Sequence, residues 1–311
     1  MAAQFRTILC PVDFSTASHH AFEYALKFAR IYGSKIRLLH VVSPVMPEVY
    51  SSGASMANFT TEFQNQAMQQ IERYRRRAER KNIPVVAEVK VGSVLPEIQR
   101  AIVAGRAELV IAGTHGHRGF EQWILGSVVE KLMRHCPVPL LAVSSRAKSR
   151  LVPAIANMVV TTDFSDGTPA ALTYAFSIAK EFKSKVTLLH VIDNVSVDIS
   201  PRLREPLVRG IGEKLESLVP TDIYKRSDVT ARVETGVPWR VILKTIQSQK
   251  AGLIVMNVHG KGMLERALMG STAERVLRGS PCPVLLIPPM KPAKSGKSRQ
   301  SRRSKSNRKA A

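Results

Sequence analysis

The sequence predicts an α/β fold: two tandem, doubly wound, five-stranded parallel sheets with a disordered basic tail behind them. Three observations predict it. Short β-branched runs alternate with helix-period patterns throughout. Those runs are nearly all apolar, as strands covered on both faces must be. The whole pattern is also written twice: "PVDFSTASHHAFEYALKFARIYGSKIRLLHVV" from Pro11 is echoed by "TTDFSDGTPAALTYAFSIAKEFKSKVTLLHVI" from Thr161. "HGHRGFEQWILGS" from His115 returns as "HGKGMLERALMGS" from His259, and "CPVPLLAV" from Cys136 as "SPCPVLLIP" from Ser280. The repeat is roughly 145 to 150 residues long, the size of a domain and not of a solenoid unit. It divides the chain into domains at 1–146 and 155–290 and a tail at 291–311, with a linker across 144–157.

In the first copy, residues 7–12 read as a strand. Ala17, Ala21, Ala25, Phe28, Ala29 and Tyr32 then share one face of a helix that Gly33 ends, and a second strand follows over 35–42. After a loop with prolines at 44 and 47, a long basic helix is expected from about Thr61, where Thr61 and Gln64 form a capping box. A strand at 85–91, a helix at 95–104, a strand at 109–112, a helix at 127–134 and a strand at 139–143 complete the unit. The second copy keeps this order, with Thr168 as N-cap and Pro169 as first helical residue of its opening helix.

Bulk composition excludes several classes. Hydrophobic residues make up 44% and charged residues 23%, a globular balance. No apolar stretch approaches the ~20 residues of a membrane span. The opening "MAAQFRTILCPVDFS" lacks the apolar core and small-residue cleavage site of an export signal, so a cytoplasmic location is expected. Cys10, Cys136 and Cys282 are too scattered for disulfides or zinc and read as small buried thiols. His19-His20 has no partner at metal spacing, so no metal site is expected.

The net charge is +22, and the tail from Lys291 carries nine Lys and Arg and no acid. Without the tail, 37 basic residues still face 24 acidic ones, a net +13. The tail has too few hydrophobes to fold. It reads as a solvated extension, as a sequence-independent contact for nucleic acid, or third as a weak contact for anionic lipid, since it lacks apolar anchors.

Two signals fall at strand ends: Asp13 after the first strand and Gly113 after the fourth. Ligands of such sheets sit beyond the carboxyl ends of strands, where strand order switches. A carboxylate there can accept ribose hydroxyls. Glycines let the backbone come close, and Gly126-Ser127 opens a helix whose free N–H groups favour phosphate. Together these suggest an adenine-type nucleotide.

The spacing Gly113-x2-Gly116-x9-Gly126-Ser127 resembles the G-2x-G-9x-G-(S/T) signature of nucleotide-binding universal stress proteins. The resemblance covers both halves, including "PVDFS", "LLHVV" and "CPVPLLAV". It implies strand order 3-2-1-4-5 and ATP, or ADP, AMP or a cyclic adenine nucleotide, with or without magnesium. By position it places Pro11, Val12 and Asp13 beside base and ribose, the Val41 backbone at the adenine edge, and Gly113, His115, Gly116, Gly126, Ser127 and Val128 around ribose and phosphates. It also implies that the apolar last strands pair between the two domains as an intramolecular dimer, compatible with a further pairing of two chains.

The second copy departs from the pattern, with Asn257 in place of the first glycine and Thr161-Thr162 in place of Pro-Val. Its matching set is Asp163, Val191, His259, Gly260, Gly270, Ser271 and Thr272. The expectation is that copy one binds nucleotide and copy two mainly supports it. His40 and His190 are expected to be satisfied strand-end histidines, and Gly92 and Gly236 to serve turns. The chain has no G-x-x-x-x-G-K-[ST] loop and no paired carboxylates near its glycines, so a binding regulator is expected and not an enzyme. The alternatives are a nucleic-acid-associated protein acting through its tail and a slow ATPase.

Overall fold

Runs of Ile, Leu and Val become the strands, and in each half the first four strands are each followed by a helix that packs on the sheet. The computed structural model describes residues 4–43, 56–114, 126–145, 155–193, 201–224, 228–258 and 270–289. The first half contains β1 (Thr7–Pro11), α1 (Thr16–Tyr32), β2 (Lys35–Val42), α2 (Met56–Glu79), β3 (Val85–Val91), α3 (Val94–Ala104), β4 (Leu109–Gly113), α4 (Ser127–His135) and β5 (Leu140–Val143). The second contains β6 (Asn157–Thr161), α5 (Thr168–Phe182), β7 (Lys185–Ile192), α6 (Pro201–Ser217), α7 (Thr221–Tyr224), β8 (Val229–Thr235), α8 (Pro238–Ser248), β9 (Leu253–Asn257), α9 (Ser271–Gly279) and β10 (Val284–Ile287). The linker's 146–154 and the tail's 291–311 lie outside the described residues.

Each half has the expected order 3-2-1-4-5 with parallel pairing, and the two halves fuse into one ten-stranded sheet. The fusion is an antiparallel seam in which Leu141 of β5 faces Leu285 of β10. An exposed apolar edge invites aggregation; here each half covers the other's. Alternate residues serve the two faces. Leu109 and Ile111 pack with α1 and α2, while Val110 and Ala112 pack with α3 and α4. α5 and α6 share the first face, and α8 and α9 the second.

On the first face, α1 and α5 meet over the seam. Phe5 stacks on Tyr174 with ring centroids 5.8 Å apart, and Phe28 meets Phe182 at 5.2 Å. Phe5 is only 1% exposed and also packs edge-on against Tyr32. The two halves therefore share one core.

Element starts differ from expectation at α2 and α5, and by one residue at α3 and β5. α2 begins at Met56, because no Gly or Pro interrupts residues 56–60 and the helix runs back past the capping-box pair. α5 is capped by Gly167, so Pro169 is its second residue. The Thr168 hydroxyl pairs with that of Thr162 at 2.8 Å. Gly92 and Gly236 do serve turns, at φ 153° and 143°, where a side chain is strained.

The three cysteines are free and buried. Burial pushes the Cys10 thiol far up, and burial first raises Cys136 and Cys282 to about 11. The thiolate is the reactive form. Native protein should therefore resist alkylation by iodoacetamide at pH 8 and take up three labels only after unfolding. Mass spectrometry of the two samples checks this.

Candidate functional site: the crevice beyond β1 and β4

β1 and β4 are neighbours, with Ile8 beside Leu109 and Leu9 beside Val110. Asp13 and Gly113 therefore stand at the ends of adjacent strands, the condition on which the sequence argument for a crevice depends.

Beyond β1 the chain turns through Asp13-Phe14-Ser15. Phe14 is held in the left-handed region at φ 64°, an unfavourable place for a bulky side chain. Several contacts hold it there. Asp13 Oδ1 accepts the Ser15 N–H at 3.0 Å and the Ser15 hydroxyl at 2.6 Å. Ser15 Oγ in turn accepts the Ser18 N–H at 3.2 Å and so caps α1. The Phe14 ring stacks on His40 at 4.4 Å, and His40 Nδ1 donates to the Val12 carbonyl at 2.8 Å. That carbonyl can only accept, which fixes the proton on Nδ1. His40 is thus the satisfied strand-end histidine expected. Behind it, Tyr74 packs on Phe14 and Phe22, and burial first pushes its hydroxyl up to about 12.

The Val41 main chain points to the β1 side of β2. Lys35 donates to Arg6 and Leu39 accepts from Val12, so odd-numbered residues of β2 point their peptide groups toward β1. Val41 continues the series past Pro11, where β1 has already left the sheet.

On the other side, Gly126 is the N-cap of α4 and, having no side chain, makes no side-chain cap bond. The Gly126 N–H is itself taken by the Thr114 carbonyl at 2.8 Å. Ser127 and Val128 open the first turn, whose N–H groups have no partner within the helix itself. His115 and Gly116 lie outside the described residues.

Gly113 plays a part the sequence did not reveal. A Cβ on it would stand 2.6 Å from Ala17 C and Ser18 N of α1. Its missing side chain makes room for a helix backbone, and so for the Ser15 cap over Asp13. Phe14, Ser15 and Tyr74 are also additions to the site. The first two had a signal in the sequence, since Asp-Phe-Ser recurs at 163–165.

A family model described as the universal stress protein family matches residues 4–144 and again residues 155–288. The chain belongs to the universal stress protein family. A universal stress protein of Methanocaldococcus jannaschii is 35% identical over 142 residues, 42% of this chain and 80% of that one. One of Mycolicibacterium smegmatis is 26% identical over 296 residues, covering 91% of this chain and 97% of its own. The crystal structure of a universal stress protein from Archaeoglobus fulgidus superposes with a TM-score of 0.67 at 22% identity, spanning 92% of this chain and all of its own; that likeness speaks for the fold alone.

The second half of this universal stress protein repeats the turn. Phe164 sits at φ 59°, Asp163 Oδ1 accepts the Ser165 N–H at 3.0 Å, and His190 Nδ1 donates to the Thr162 carbonyl at 2.8 Å. Val191 holds the position of Val41, and Gly270 caps α9 without side-chain help, placing Ser271 and Thr272 in its first turn. His259 and Gly260 lie outside the described residues. The difference is at Asn257, whose carboxamide lies against Gly167.

Proposed function

We propose that this universal stress protein binds an adenine nucleotide, ATP first among them, in the crevice beyond β1 and β4. In this reading it acts as a regulatory binding protein and not as a catalyst. One observation carries the reading: the Asp13 turn and the glycine-capped first turn of α4 flank one switch point, in the frame of the Gly113-x2-Gly116-x9-Gly126-Ser127 spacing. Asp13 would meet ribose hydroxyls, as the free lone pairs of a carboxylate allow. The Val41 peptide would read the base edge, with Pro11 and Val12 beside it. Ser127 and Val128 would offer N–H groups to phosphate, and Gly113 and Gly126 would shape the two walls.

A regulatory role fits a site built mainly of main-chain groups. Such a site binds and orients an anion, and residues 113–128 include no lysine for the outer phosphates. Three buried free thiols suit a reducing compartment such as the cytoplasm.

Melting the full chain with ATP, ADP, AMP and cyclic AMP tests the reading. ATP at 100 times its Kd should add about 2.7 kcal/mol of stability. Flat melting curves with all four nucleotides at millimolar concentration would dispose of it.

A further inference from the structure

α8 and α9 carry a group of side chains that the first half lacks. Aligned on Gly92 and Gly236, Trp239 and Arg240 replace Leu95 and Pro96; aligned on Gly126 and Gly270, Arg275 replaces Lys131. Trp239 and Arg240 lie in the first turn of α8, and Arg275 lies on α9, which packs beside it. The half-buried Trp239 ring rests on the core of the second face. The guanidinium carbon of Arg240 is 5.1 Å from its centre and that of Arg275 is 5.6 Å away. One ring thus gathers two cations.

Positive charge is left over at this place. Both arginines are exposed, and neither has an acidic partner among the described residues. α8 contains no acid, and the single acid of α9, Glu274, is taken by Arg278 at 2.6 Å. Hydrogen-bonding capacity is left over as well. The indole N–H of Trp239 is buried with no acceptor, an unfavourable state for a polar group. Indole and guanidinium nitrogens can only donate. A ring face attracts the charge of a guanidinium but takes none of the conventional hydrogen bonds of its fork. Three donor groups therefore converge where the described residues supply no acceptor. The first half has no such excess: Leu95 and Pro96 are apolar, and Glu97 answers Arg100 at 2.5 Å.

We propose that Trp239, Arg240 and Arg275 form a site for a phosphate group, clasped between the two guanidinia over the indole. A phosphate dianion matches both positive charges, and its oxygens accept several N–H bonds at once. A carboxylate brings one charge and two oxygens, so it fits less well. The guanidinium forks suit tetrahedral oxyanions, and both arms are surface side chains that can swing from the ring onto the anion. The site uses no residue of either crevice, so it stands apart from the nucleotide reading.

Titration of the ¹⁵N-labelled full chain with sodium phosphate, at constant ionic strength set with chloride, tests it by NMR. The chain has two tryptophans, and Trp123→Phe assigns the indole N–H signal of Trp239. That signal should move saturably with phosphate and hardly at all with acetate. Arg240→Gln and Arg275→Gln should each weaken phosphate binding about tenfold, the scale of a hydrogen bond to a charged group. Lys244→Gln, one turn further along α8, should change it less than about twofold, because salt screens a distant charge. Circular dichroism checks that the variants fold. A Trp239 signal that stays still at tens of millimolar phosphate overturns the proposal. So does equal weakening by Lys244→Gln, which would mean diffuse attraction and no built site. Repeating the titration with ATP names the source of the phosphate. A response with the same dependence on both arginines supports a site for nucleotide phosphates; a response to inorganic phosphate alone supports a site for the free anion.

Discussion

Phe5→Ala should lower the unfolding free energy by about 3–5 kcal/mol, the range for truncating a fully buried aromatic side chain. The side chain is 1% exposed and sits among Phe28, Tyr32 and, from the other half, Tyr174. It is thus the point where the first strand's lead-in anchors both domains. Urea melts of wild type, Phe5→Ala, Tyr174→Ala and the double variant form a cycle. Because the two rings touch, their losses should fall short of additive, by about 0.5–1.5 kcal/mol for an aromatic pair. Strict additivity would mean that the two halves do not share this core in solution.

Gly113→Ala should cost about 1–3 kcal/mol, the usual penalty for overpacking. A single methyl group is decisive here because its neighbours are main-chain atoms of α1, 2.6 Å away, and cannot rotate aside. The helix must shift, and the Ser15 cap that holds Asp13 shifts with it. On the nucleotide reading proposed above, ATP affinity should therefore fall along with stability. Gly126→Ala makes the informative contrast. Gly126 has φ −62° and ψ 134°, a conformation open to any residue, so on backbone grounds the substitution should cost well under 1 kcal/mol. Equal losses from the two variants, measured by urea melts, would contradict the division of labour between these glycines.

The fold is legible because both copies carry the same alternation of strand and helix patterns. Strand order and the neighbouring ends of β1 and β4 followed from that pattern. The start of α2 was not legible. A capping box is a local signal, and nothing in the preceding residues stops a helix from running through it. The meaning of Gly113 was hidden for a different reason. A glycine that admits a helix backbone and one that admits a ligand look the same in a sequence; only the position of Ala17 and Ser18 separates them. Phe14 was hidden too, since a bulky residue at positive φ has no marker except its recurrence at Phe164.

The antiparallel join between β5 and β10 has a directional result. Strands of the first half run opposite to those of the second, so the Asp13 and Asp163 turns emerge on opposite rims of the slab. A flat binding partner laid along one rim touches one turn and never the other. The two turns are therefore reached from opposite sides of the sheet.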